Sequence, residues 1–491
     1  MQILKYGTLV LLVVTLTSSC TEWINDVQPA QSLPSTEIIG PTANEQGLQG
    51  ALTGAYDALQ SSDFGATGLA MNANILSDNG LWLGSFPSYR DMYNRQLTPD
   101  NGEVTGLWTS AYTTINQANL VLRGLNESSD PSLTEEVRTS LEGQSLFLRA
   151  LSYFELVRYF AQPYGANSNS DLGVPIILDG VLNPEEITFP ERATVQQVYD
   201  QAIADFTSAA SLLPATSAEG RANSTAATAY LAEIAFQQRD YEEAAELAGE
   251  VISNPNYSLT NDPTTPFTDE QSSEEIFAVV NTTQDNPGVN GSLATFHHVN
   301  GRGGDVVVSD DLREQGYLQV IGMDRLAEVD TVGDTLVDLR VTELTSNGIY
   351  NIEKYEDFAN NADDNILVRL ATYYLMRAES LARTGGVNDE SIELLNAIRS
   401  RAIERQRADG ATLPNDVVLY EADDFEDADA LIEAIILERR VELAFEANRL
   451  HDLRRLMRDV RGFPYDTTAL VFPIPQRELD ANDQLVQNPG Y

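Results

Sequence analysis

One stretch, residues 224–254, constrains the fold of this chain more than any other, because two helical periods follow each other there. The first half places apolar residues at helical spacing, namely Ala227, Tyr230, Leu231, Ile234 and Ala235. The second half does the same with Tyr241, Ala244, Ala245, Ala248, Val251 and Ile252. Asp240 is placed to cap the second helix, and Asn254-Pro255 ends it. The many alanines let two antiparallel helices approach closely, so the stretch predicts a helical hairpin.

The hairpin resembles a tetratricopeptide unit, a repeat that cannot bury its apolar face alone and therefore implies stacked neighbours. The alternative is a single hairpin in another kind of all-helical protein. Further helical periods are predicted at residues 44–59, 107–122, 142–160, 195–213, 367–402 (a pair broken at Gly385-Gly386) and 428–456. In the last of these, three glutamates four residues apart are expected to repel one another: Glu438, Glu442 and Glu446. Arg439 and Arg449 are expected to offset that repulsion.

Two segments interrupt the helical pattern. Residues 65–97 predict a loop that carries aromatic side chains among Gly, Ser, Asn and Asp. Residues 256–366 are rich in Asn, Asp, Gly, Thr and Ser and predict a large irregular insertion. Within it, short strands are expected at residues 276–280 and 306–308.

The charge balance excludes some classes of partner. The 491 residues include 74 Asp and Glu against 30 Lys and Arg, which gives a net charge of −44. Such a surface repels phosphate backbones and anionic lipid, so nucleic-acid binding is not expected and membrane attachment needs another anchor. We interpret the acidity as a contribution to solubility in a screening medium rather than as an acid-lined cation site.

The first 41 residues predict export and anchoring. Lys5 and a short apolar run over residues 7–16 are typical of a signal peptide, and the run is too short to span a bilayer. Cys20 is the single cysteine, which excludes an internal disulfide and a Cys-based zinc site. Its position resembles a bacterial lipoprotein signal, so residues 1–19 are expected to be removed and Cys20 to carry lipid; a plain secretory signal is the alternative. Residues 20–41 then predict a lipidated tether, and residues 42–491 a single domain.

Several segments taken together resemble the SusD/RagB family of nutrient-uptake outer-membrane lipoproteins. They are FLRALSYFELVRYF at 147–160, RATVQQVY at 192–199, LNAIRSRA at 395–402, ERRVELAFEANRLHDLRR at 438–455, FPIP at 472–475 and QNPGY at 487–491. Their order, their spacing and the C-terminal finish carry the resemblance, which covers nearly the whole mature chain. Two positions depart from the family pattern: Ala161 stands where a glycine usually follows the aromatic helix, and Leu450 replaces the usual tryptophan.

The resemblance implies a mainly α fold in which four tetratricopeptide-like hairpins form a right-handed superhelical scaffold, with a loop-rich insertion and few short strands. It also implies a surface-exposed lipoprotein of the cell outer membrane that forms a lid on a SusC-like TonB-dependent transporter. Such a lid captures oligosaccharide and delivers it to the transporter, with no catalytic step and no cofactor. A peptide ligand in the same role is the first alternative. A helical glycoside hydrolase and a scaffold that binds only protein are the others.

A site for neutral sugar needs flat aromatic faces and planar polar groups, because rings stack on the apolar face of a pyranose while amides, carboxylates and guanidinium groups bond its hydroxyls. Two segments offer this combination. The first contributes Asp78, Asn79, Trp82, Phe86, Tyr89 and Tyr93, and the second contributes His298, Asn300, Arg302 and, further along, Tyr317. The alternative is that these aromatic residues only pack their loops onto the fold. The family motifs do not include ligand contacts, so the resemblance transfers no ligand residue.

Metal binding and catalysis are not favoured. His297 and His298 would point to opposite sides of a strand, which argues against a shared metal ion, and His451 is predicted to be structural. Residues 363–365 offer oxygen ligands for calcium but lack EF-hand spacing. The phosphate-loop, zincin and nucleophile-elbow motifs are absent from the sequence. Pairs of carboxylates in so acidic a chain do not by themselves indicate glycoside hydrolysis.

Overall fold

The computed structural model describes residues 35–268, 271–320, 335–406, 412–413 and 419–491, and helices dominate these residues. The helices of seven residues or more are α1 (Glu45–Leu59), α2 (Gly68–Leu76), α3 (Pro87–Tyr93), α4 (Gly102–Glu127), α5 (Glu135–Phe160), α6 (Val195–Leu212), α7 (Ser224–Gln238), α8 (Tyr241–Ser253), α9 (Leu370–Gly385), α10 (Asp389–Ala402), α11 (Ala428–Glu442) and α12 (Asn448–Arg455). Shorter helical turns lie at Ser35–Ile38, Pro184–Glu186, Thr265–Thr268, Leu293–His297, Val299–Arg302, Asp310–Leu312, Arg313–Tyr317, Leu318–Val320, Leu339–Thr342, Ala422–Asp424, Thr468–Leu470 and Gln476–Ala481.

The strands are short and pair only in small antiparallel sheets. They are β1 (Gly80–Trp82), β2 (Glu275–Val279), β3 (Val306–Val308), β4 (Thr335–Asp338), β5 (Thr345–Ser346), β6 (Asn351–Ile352), β7 (Asn365–Arg369), β8 (Ile403–Gln406) and β9 (Thr412–Leu413). β1 pairs with β3, β2 with β7, β5 with β6, and β4 with β8, which also pairs with β9. The two strands predicted in the insertion are therefore confirmed as β2 and β3.

The long helices begin at polar caps, which satisfy backbone N–H groups that have no partner within the helix. Asp240 accepts from the N–H of Glu243 at 3.2 Å, as predicted for the start of α8. Thr194 forms a reciprocal capping box with Gln197 at the start of α6. Asparagine side chains cap α1, α4, α7 and α10, each by accepting from a backbone N–H of the first helical turn. The starts of α1, α6, α7 and α8 agree with the prediction, whereas α4 and α5 begin at Gly102 and Glu135, five and seven residues before the predicted 107 and 142.

The long helices pack in order along the chain. α1 packs on α4, α4 on α5, α5 on α6, α6 on α7, α7 on α8, and α8 on α9, which also contacts α10 and α11. The aromatic face of α5 is buried in this array, and the ring centroid of Phe147 lies 5.5 Å from that of Phe206 in α6 and 4.9 Å from that of Phe277 in β2. The mainly helical fold is confirmed. Packing in consecutive pairs is compatible with tetratricopeptide-like units, while the right-handed course of the superhelix stays a prediction.

The loop predicted for residues 65–97 is wrong in its detail. The buried helix α2, the strand β1 and the short helix α3 occupy most of it. Every residue of α2 is buried. A helix that is buried on all sides, here including Asn72 and Asn74, shows no amphipathic period, so sequence periodicity could not distinguish it from a loop.

The single helix predicted for residues 428–456 is also wrong. α11 ends at Glu442 and α12 begins at Asn448. Between them Phe445 and Ala447 adopt a left-handed backbone with φ of 68° each. No glycine or proline marks this break, which is why the pattern predicted a continuous helix.

The backbone carbonyl groups freed by the break are satisfied by other parts of the fold. The Nζ of Lys354 donates to the carbonyl of Ala444 at 2.9 Å. The hydroxyl of Tyr355 and the amide of Asn74 both donate to the carbonyl of Phe445, at 3.1 and 3.2 Å. Tertiary contacts therefore replace the helical hydrogen bonds that are lost.

A buried ionic network surrounds the break. Glu442 lies 2.9 Å from Arg369 and 2.6 Å from Arg401. Burial by itself would raise the pKa of Glu442, but these two arginines and Arg340 outweigh it and hold that pKa well below its usual range. The network also includes Glu274, Asp338, Lys354, Arg399, Glu438 and Glu446. It joins the insertion to α10 and α11.

The prediction that Arg439 and Arg449 offset the repulsion among the three glutamates is wrong. Arg439 pairs with Asp452 at 2.8 Å, and Arg449 pairs with Asp78 at 2.7 Å. The glutamates of α11 are compensated by arginines that lie far away in the sequence. His451 is buried and packs edge-on against Tyr159, which confirms its structural role.

Of the predicted signal peptide and tether, only residues 35–41 lie within the described part of the chain. Residues 1–19 and Cys20 lie outside the described residues, so the signal peptide and lipidation stay predictions. Residues 35–41 of the predicted tether belong to the fold: the carbonyl of Glu37 accepts from the N–H of Asn44 at 3.1 Å. The N–H of Gly40 donates to Glu127 at 2.8 Å.

Candidate functional site

Pairing of β1 with β3 brings the two predicted ligand segments together. Gly80 lies opposite Val308, and Trp82 lies opposite Val306. The N–H of Leu83 extends the pairing by donating to the carbonyl of Asp305 at 2.7 Å. Two segments more than 200 residues apart therefore form one surface.

The aromatic side chains of both segments meet in a ring cluster made of Trp82, Phe86, Tyr89 and Phe296. Ring centroids are 5.3 Å apart for Trp82 and Tyr89, and 5.9 Å apart for Phe86 and Phe296. Trp82, Tyr89 and Phe296 are 6, 4 and 1% exposed, whereas Phe86 is half-buried. Trp82 and Tyr89 thus pack the loop in this conformation, and within the cluster Phe86 offers most ring surface to a ligand.

Arg302 covers part of the ring cluster. Its guanidinium lies 4.4 Å from the centroid of Phe86, within cation–π distance. The same group donates to Asp305 at 2.6 Å and to Asn290 at 2.8 Å. Asn300 is exposed two residues before Arg302 in the short helix Val299–Arg302. The half-buried ring of Phe86 and the guanidinium over it therefore lie next to a segment that carries an exposed amide.

His298 extends this surface and caps the short helix. Its Nδ1 accepts from the N–H of Asn300 at 3.0 Å, so its Nε2 carries the proton and donates to Glu353 at 2.7 Å. The imidazole stacks on Phe358, with centroids 4.6 Å apart and an angle of 26°. The strand geometry assumed for the histidine pair is wrong, because His297 ends a helical turn and is buried.

Four of the predicted site residues lie elsewhere or are enclosed. Asp78 binds Arg449 through both oxygens, at 2.7 Å each. Asn79 is fully buried and accepts from Arg440 at 3.0 Å, and Tyr317 is 3% exposed in the core. Tyr93 is half-buried beneath the guanidinium of Arg461. None of these four belongs to the ring cluster; Asp78, Asn79 and Tyr317 are held in structural contacts by burial and ion pairing.

A cavity of about 760 Å³ is lined by Asp357 and Asn360, which lie on either side of Phe358 in the chain. It is bounded by β2, β7 and the turn around residues 355–364, and Tyr355 and Phe267 contribute aromatic surface to it. Its polar lining consists of Glu219, Thr268, Glu275, Asn281, Thr282, Thr283, Glu356, Asp357, Asn360, Asp363 and Asp364. We refer to this as the acidic cavity.

Two carboxyl groups of the acidic cavity have unusual proton affinity. Burial, followed by the charges of Asp364 and Glu219, raises the pKa of Glu275 to about 7. Burial is also the main cause that raises the pKa of Asp363 to about 6. Both groups therefore change charge near neutral pH, within a cavity that is large enough for a small ligand.

The calcium suggestion for residues 363–365 stays a prediction. Asp364 accepts from the N–H of Asn281 at 2.7 Å, and Asp363 accepts from the N–H of Asp357 at 2.9 Å. Across the described residues, no group of three or more His, Cys, Asp or Glu side chains is arranged to hold a metal ion.

Sequence reasoning missed Phe358 and most of the acidic cavity. Phe358 sits among Asp and Asn residues, the same signal that singled out residues 78–93, and applying that criterion there would have found it. The cavity itself depends on the pairing of β2 with β7, where Val279 lies opposite Asn365. No local pattern encodes that pairing.

A second cavity, of about 780 Å³, is lined by Arg440, Arg449 and Arg458 among others. Each of these arginines is engaged by a carboxylate: Arg440 by Asp311, Arg449 by Asp78 and Arg458 by Glu433. We favour the first cavity as part of the candidate site, because Phe358 lies in the chain between its lining residues Asp357 and Asn360 and stacks on His298, which in turn caps the helix that carries Asn300 and Arg302. We use the name ligand face for the acidic cavity together with Phe86, Asn300, Arg302, His298 and Phe358.

In the part of the chain that the structure describes, every helix is too short or too polar to cross a lipid bilayer.

Comparisons with known proteins give a consistent result. Residues 24–236 match a family model described as starch-binding and associating with the outer membrane, and residues 338–470 match the SusD family model. SusD-like protein P2 of Formosa agariphila is 26% identical, over 90% of this chain and 92% of that protein. SusD-like protein P38 of the same organism is 25% identical, over 98% of each chain.

Solved structures agree with these matches at the level of the fold. A SusD superfamily protein from Bacteroides thetaiotaomicron superposes with a TM-score of 0.74 at 21% identity, covering 91% of this chain and 100% of that one. A laminarin binding SusD-like protein superposes with a TM-score of 0.65 at 24% identity, covering 91% and 100%. The two family models leave residues 237–337, most of the insertion, unmatched, and the relatives span nearly the full length. The resemblance drawn from the sequence motifs is thus confirmed, and the chain belongs to the SusD/RagB family.

Proposed function

We propose that this protein binds oligosaccharide at the cell surface and delivers it to a SusC-like TonB-dependent transporter without altering it. The observation that carries the proposal is the ligand face. It sets two half-exposed rings, Phe86 and Phe358, beside hydrogen-bonding side chains and a cavity of about 760 Å³. One neighbour in structure is described as laminarin binding, which suggests the first probe.

The ligand face has the features that sugar recognition requires. Phe86 and Phe358 each pack against a basic partner, Arg302 and His298, and keep part of the ring in solvent. Such rings can stack on the apolar face of a pyranose, while Asn300 and the cavity amides and carboxylates can bond hydroxyl groups. Arg302 is already held by its ion pair with Asp305 and His298 by its hydrogen bond to Glu353, so little side-chain order has to be gained on binding.

The test is calorimetric titration of the purified mature protein against neutral oligosaccharides, beginning with laminari-oligosaccharides, and against a peptide panel. Phe86→Ala and Phe358→Ala are each expected to weaken glycan binding about tenfold, which corresponds to about 1.4 kcal/mol for one stacking contact. Phe189→Ala is the matched control, because Phe189 is 48% exposed and lies outside the ligand face. Heat with peptides and none with glycans would replace the glycan by a peptide ligand.

One observation favours a second candidate function, a glycoside hydrolase. Glu275 and Asp363 line the same cavity, and their raised pKa values, about 7 and about 6, resemble those of catalytic carboxyl groups. Incubation with the same oligosaccharides and an assay for new reducing ends decides between the two. The binding proposal predicts no turnover. Turnover that Glu275→Gln abolishes would establish the hydrolase instead.

Anchoring and partnership are tested in cells. Cys20→Ala is expected to release the protein from the outer membrane, because the lipid on Cys20 is the proposed attachment. The lipidated protein is expected to co-purify with a TonB-dependent transporter and to be labelled on intact cells. Membrane retention of the Cys20→Ala variant with no transporter in its eluate would contradict this part of the proposal.

A further inference from the structure

The charged side chains that line the acidic cavity of the ligand face are all carboxyl groups. Six carboxyl side chains line the acidic cavity: Glu219, Glu275, Glu356, Asp357, Asp363 and Asp364. Among the described residues that line it, none is Lys, Arg or His. Burial is the main cause of the raised pKa of Glu275, and the charges of Asp364 and Glu219 raise it further, so these carboxyl groups act on one another inside the cavity.

The basic side chains of the ligand face, Arg302 and His298, are held by protein partners. Arg302 donates to Asp305 at 2.6 Å, and Asp305 is 7% exposed. His298 donates to Glu353 at 2.7 Å. Turning Arg302 toward an anionic ligand would leave the buried Asp305 without a counter-charge, which is strongly unfavourable.

Lys354 is likewise committed, although it lies next to residues of the cavity. It is 3% exposed, its Nζ lies 4.3 Å from the ring centroid of Phe267, and it donates to Ala444 and Glu446. The only other lysine of the sequence is Lys5. The cavity thus has neither a lysine nor an uncompensated arginine with which to bind a carboxylate or sulfate group.

We infer, on the basis of the proposed function, that the ligand face selects electrically neutral glycans and rejects glycans that carry uronate or sulfate groups. Selection by repulsion requires no special contact to the accepted ligand. It follows from placing an anionic group next to several carboxylates whose field is focused by the walls of a cavity. Even in bulk water, repulsion between two unit charges about 4 Å apart weakens binding about fivefold, so a substituent close to two of the carboxylates is sufficient for about a tenfold effect.

The experiment uses matched pairs of glycans that differ only in charge. Laminarin, cellulose-type, mannan and xylan oligosaccharides are each titrated beside their carboxymethylated forms, at low and at moderate ionic strength. Any neutral member that binds is expected to bind at least about tenfold more tightly than its carboxymethylated partner at low salt. The difference is expected to shrink as salt screens the repulsion.

A pair of double variants assigns the effect to the cavity. The double variant Glu219→Gln with Glu356→Gln removes two exposed charges of the lining. It is expected to lower the ratio between the affinities for a neutral glycan and for its carboxymethylated partner about threefold or more. Glu246→Gln with Glu250→Gln removes two exposed charges from α8, outside the lining, and is expected to leave the ratio unchanged. Equal narrowing by both variants would assign the effect to net charge and overturn the role of the cavity.

The remaining outcomes separate this inference from the proposed function. A carboxymethylated glycan that binds as tightly as its neutral partner, or more tightly, overturns the inference and leaves glycan binding in place. Absence of binding by every member of the panel overturns glycan binding and the inference together. Tight binding by neutral members with rejection of their charged partners supports both.

Discussion

At the scale of single residues, the most informative group is Glu275 of the acidic cavity. Its carboxyl faces Asp364 and Glu219, and burial with these charges raises its pKa to about 7. In the unfolded chain the group ionises at its ordinary, lower pKa. The folded state therefore binds a proton more tightly than the unfolded state, and this favours folding at acidic pH.

We predict that Glu275→Gln raises the free energy of unfolding, and that this gain depends on pH. The contribution of the protonated carboxyl is fully present below the unfolded pKa and is lost as pH rises through about 7. The variant is thus expected to be more stable than the natural protein at pH 8, by about 1 kcal/mol, and the difference should fade toward pH 5. Urea unfolding at a series of pH values measures it. Glu246→Gln, in an exposed position of α8, is the control. If the stability of the natural protein and of both variants changed with pH in parallel, the raised pKa of Glu275 would be contradicted.

At the scale of elements, the junction between α11 and α12 shows how tertiary contacts interrupt a helical pattern. Continuing the helix would leave Glu442 and Glu446 in line on one face, whereas the break lets them reach Arg369. The break requires Ala447 to adopt φ of 68°, a conformation that costs a non-glycine residue about 1–2 kcal/mol.

Relief of that backbone strain is a second prediction. Ala447→Gly is expected to stabilise the protein by up to about 1 kcal/mol, because glycine adopts positive φ without a Cβ clash. The matched change Ala434→Gly, in the middle of α11, is expected to destabilise it by about 1 kcal/mol. Thermal unfolding compares the two. Equal destabilisation by both changes would show that the left-handed residue carries no strain.

The buried ionic network gives a third prediction. Arg369→Met is expected to destabilise the protein by about 3–5 kcal/mol, because it leaves Glu442, Glu446 and Glu274 partly unpaired in the interior. Arg458→Met, whose partner Glu433 is exposed, is expected to cost less than about 1 kcal/mol. Denaturant unfolding measures both. A loss below about 1 kcal/mol for Arg369→Met would mean that the network does not hold the insertion on α10 and α11.

At the scale of the whole molecule, the dominant feature is the excess of 74 acidic over 30 basic residues. Many of the arginines are buried in ion pairs with carboxylates, as in the network around Glu442, so a large share of the acidic excess lies on the surface. Self-repulsion of that surface opposes the compact state and is screened within about 10 Å at 0.1 M salt.

Salt is therefore predicted to stabilise the folded chain. Raising sodium chloride from about 0.01 M to about 0.5 M is expected to raise the melting temperature by several degrees, because surface repulsion is screened while buried pairs are not. Scanning calorimetry of the mature protein measures this. A melting temperature that falls with salt would show that exposed ion pairs, rather than repulsion, dominate the surface energetics.

The sequence by itself determined the helical pairs, the buried aromatic face of α5, the acidic surface and, through its motifs, the family. These properties are local, because a helical period or a cap depends on residues within a few turns. The spacing of the apolar residues also indicates which face of a helix is buried. Only the tertiary structure decided that Trp82 meets Val306, that Phe358 stacks on His298 and that the acidic cavity forms beside them. It also decided the fully buried helix α2 and the break after Glu442. Pairing between strands hundreds of residues apart and the charge compensation of buried side chains depend on which surfaces come together on folding, and no local spacing records that.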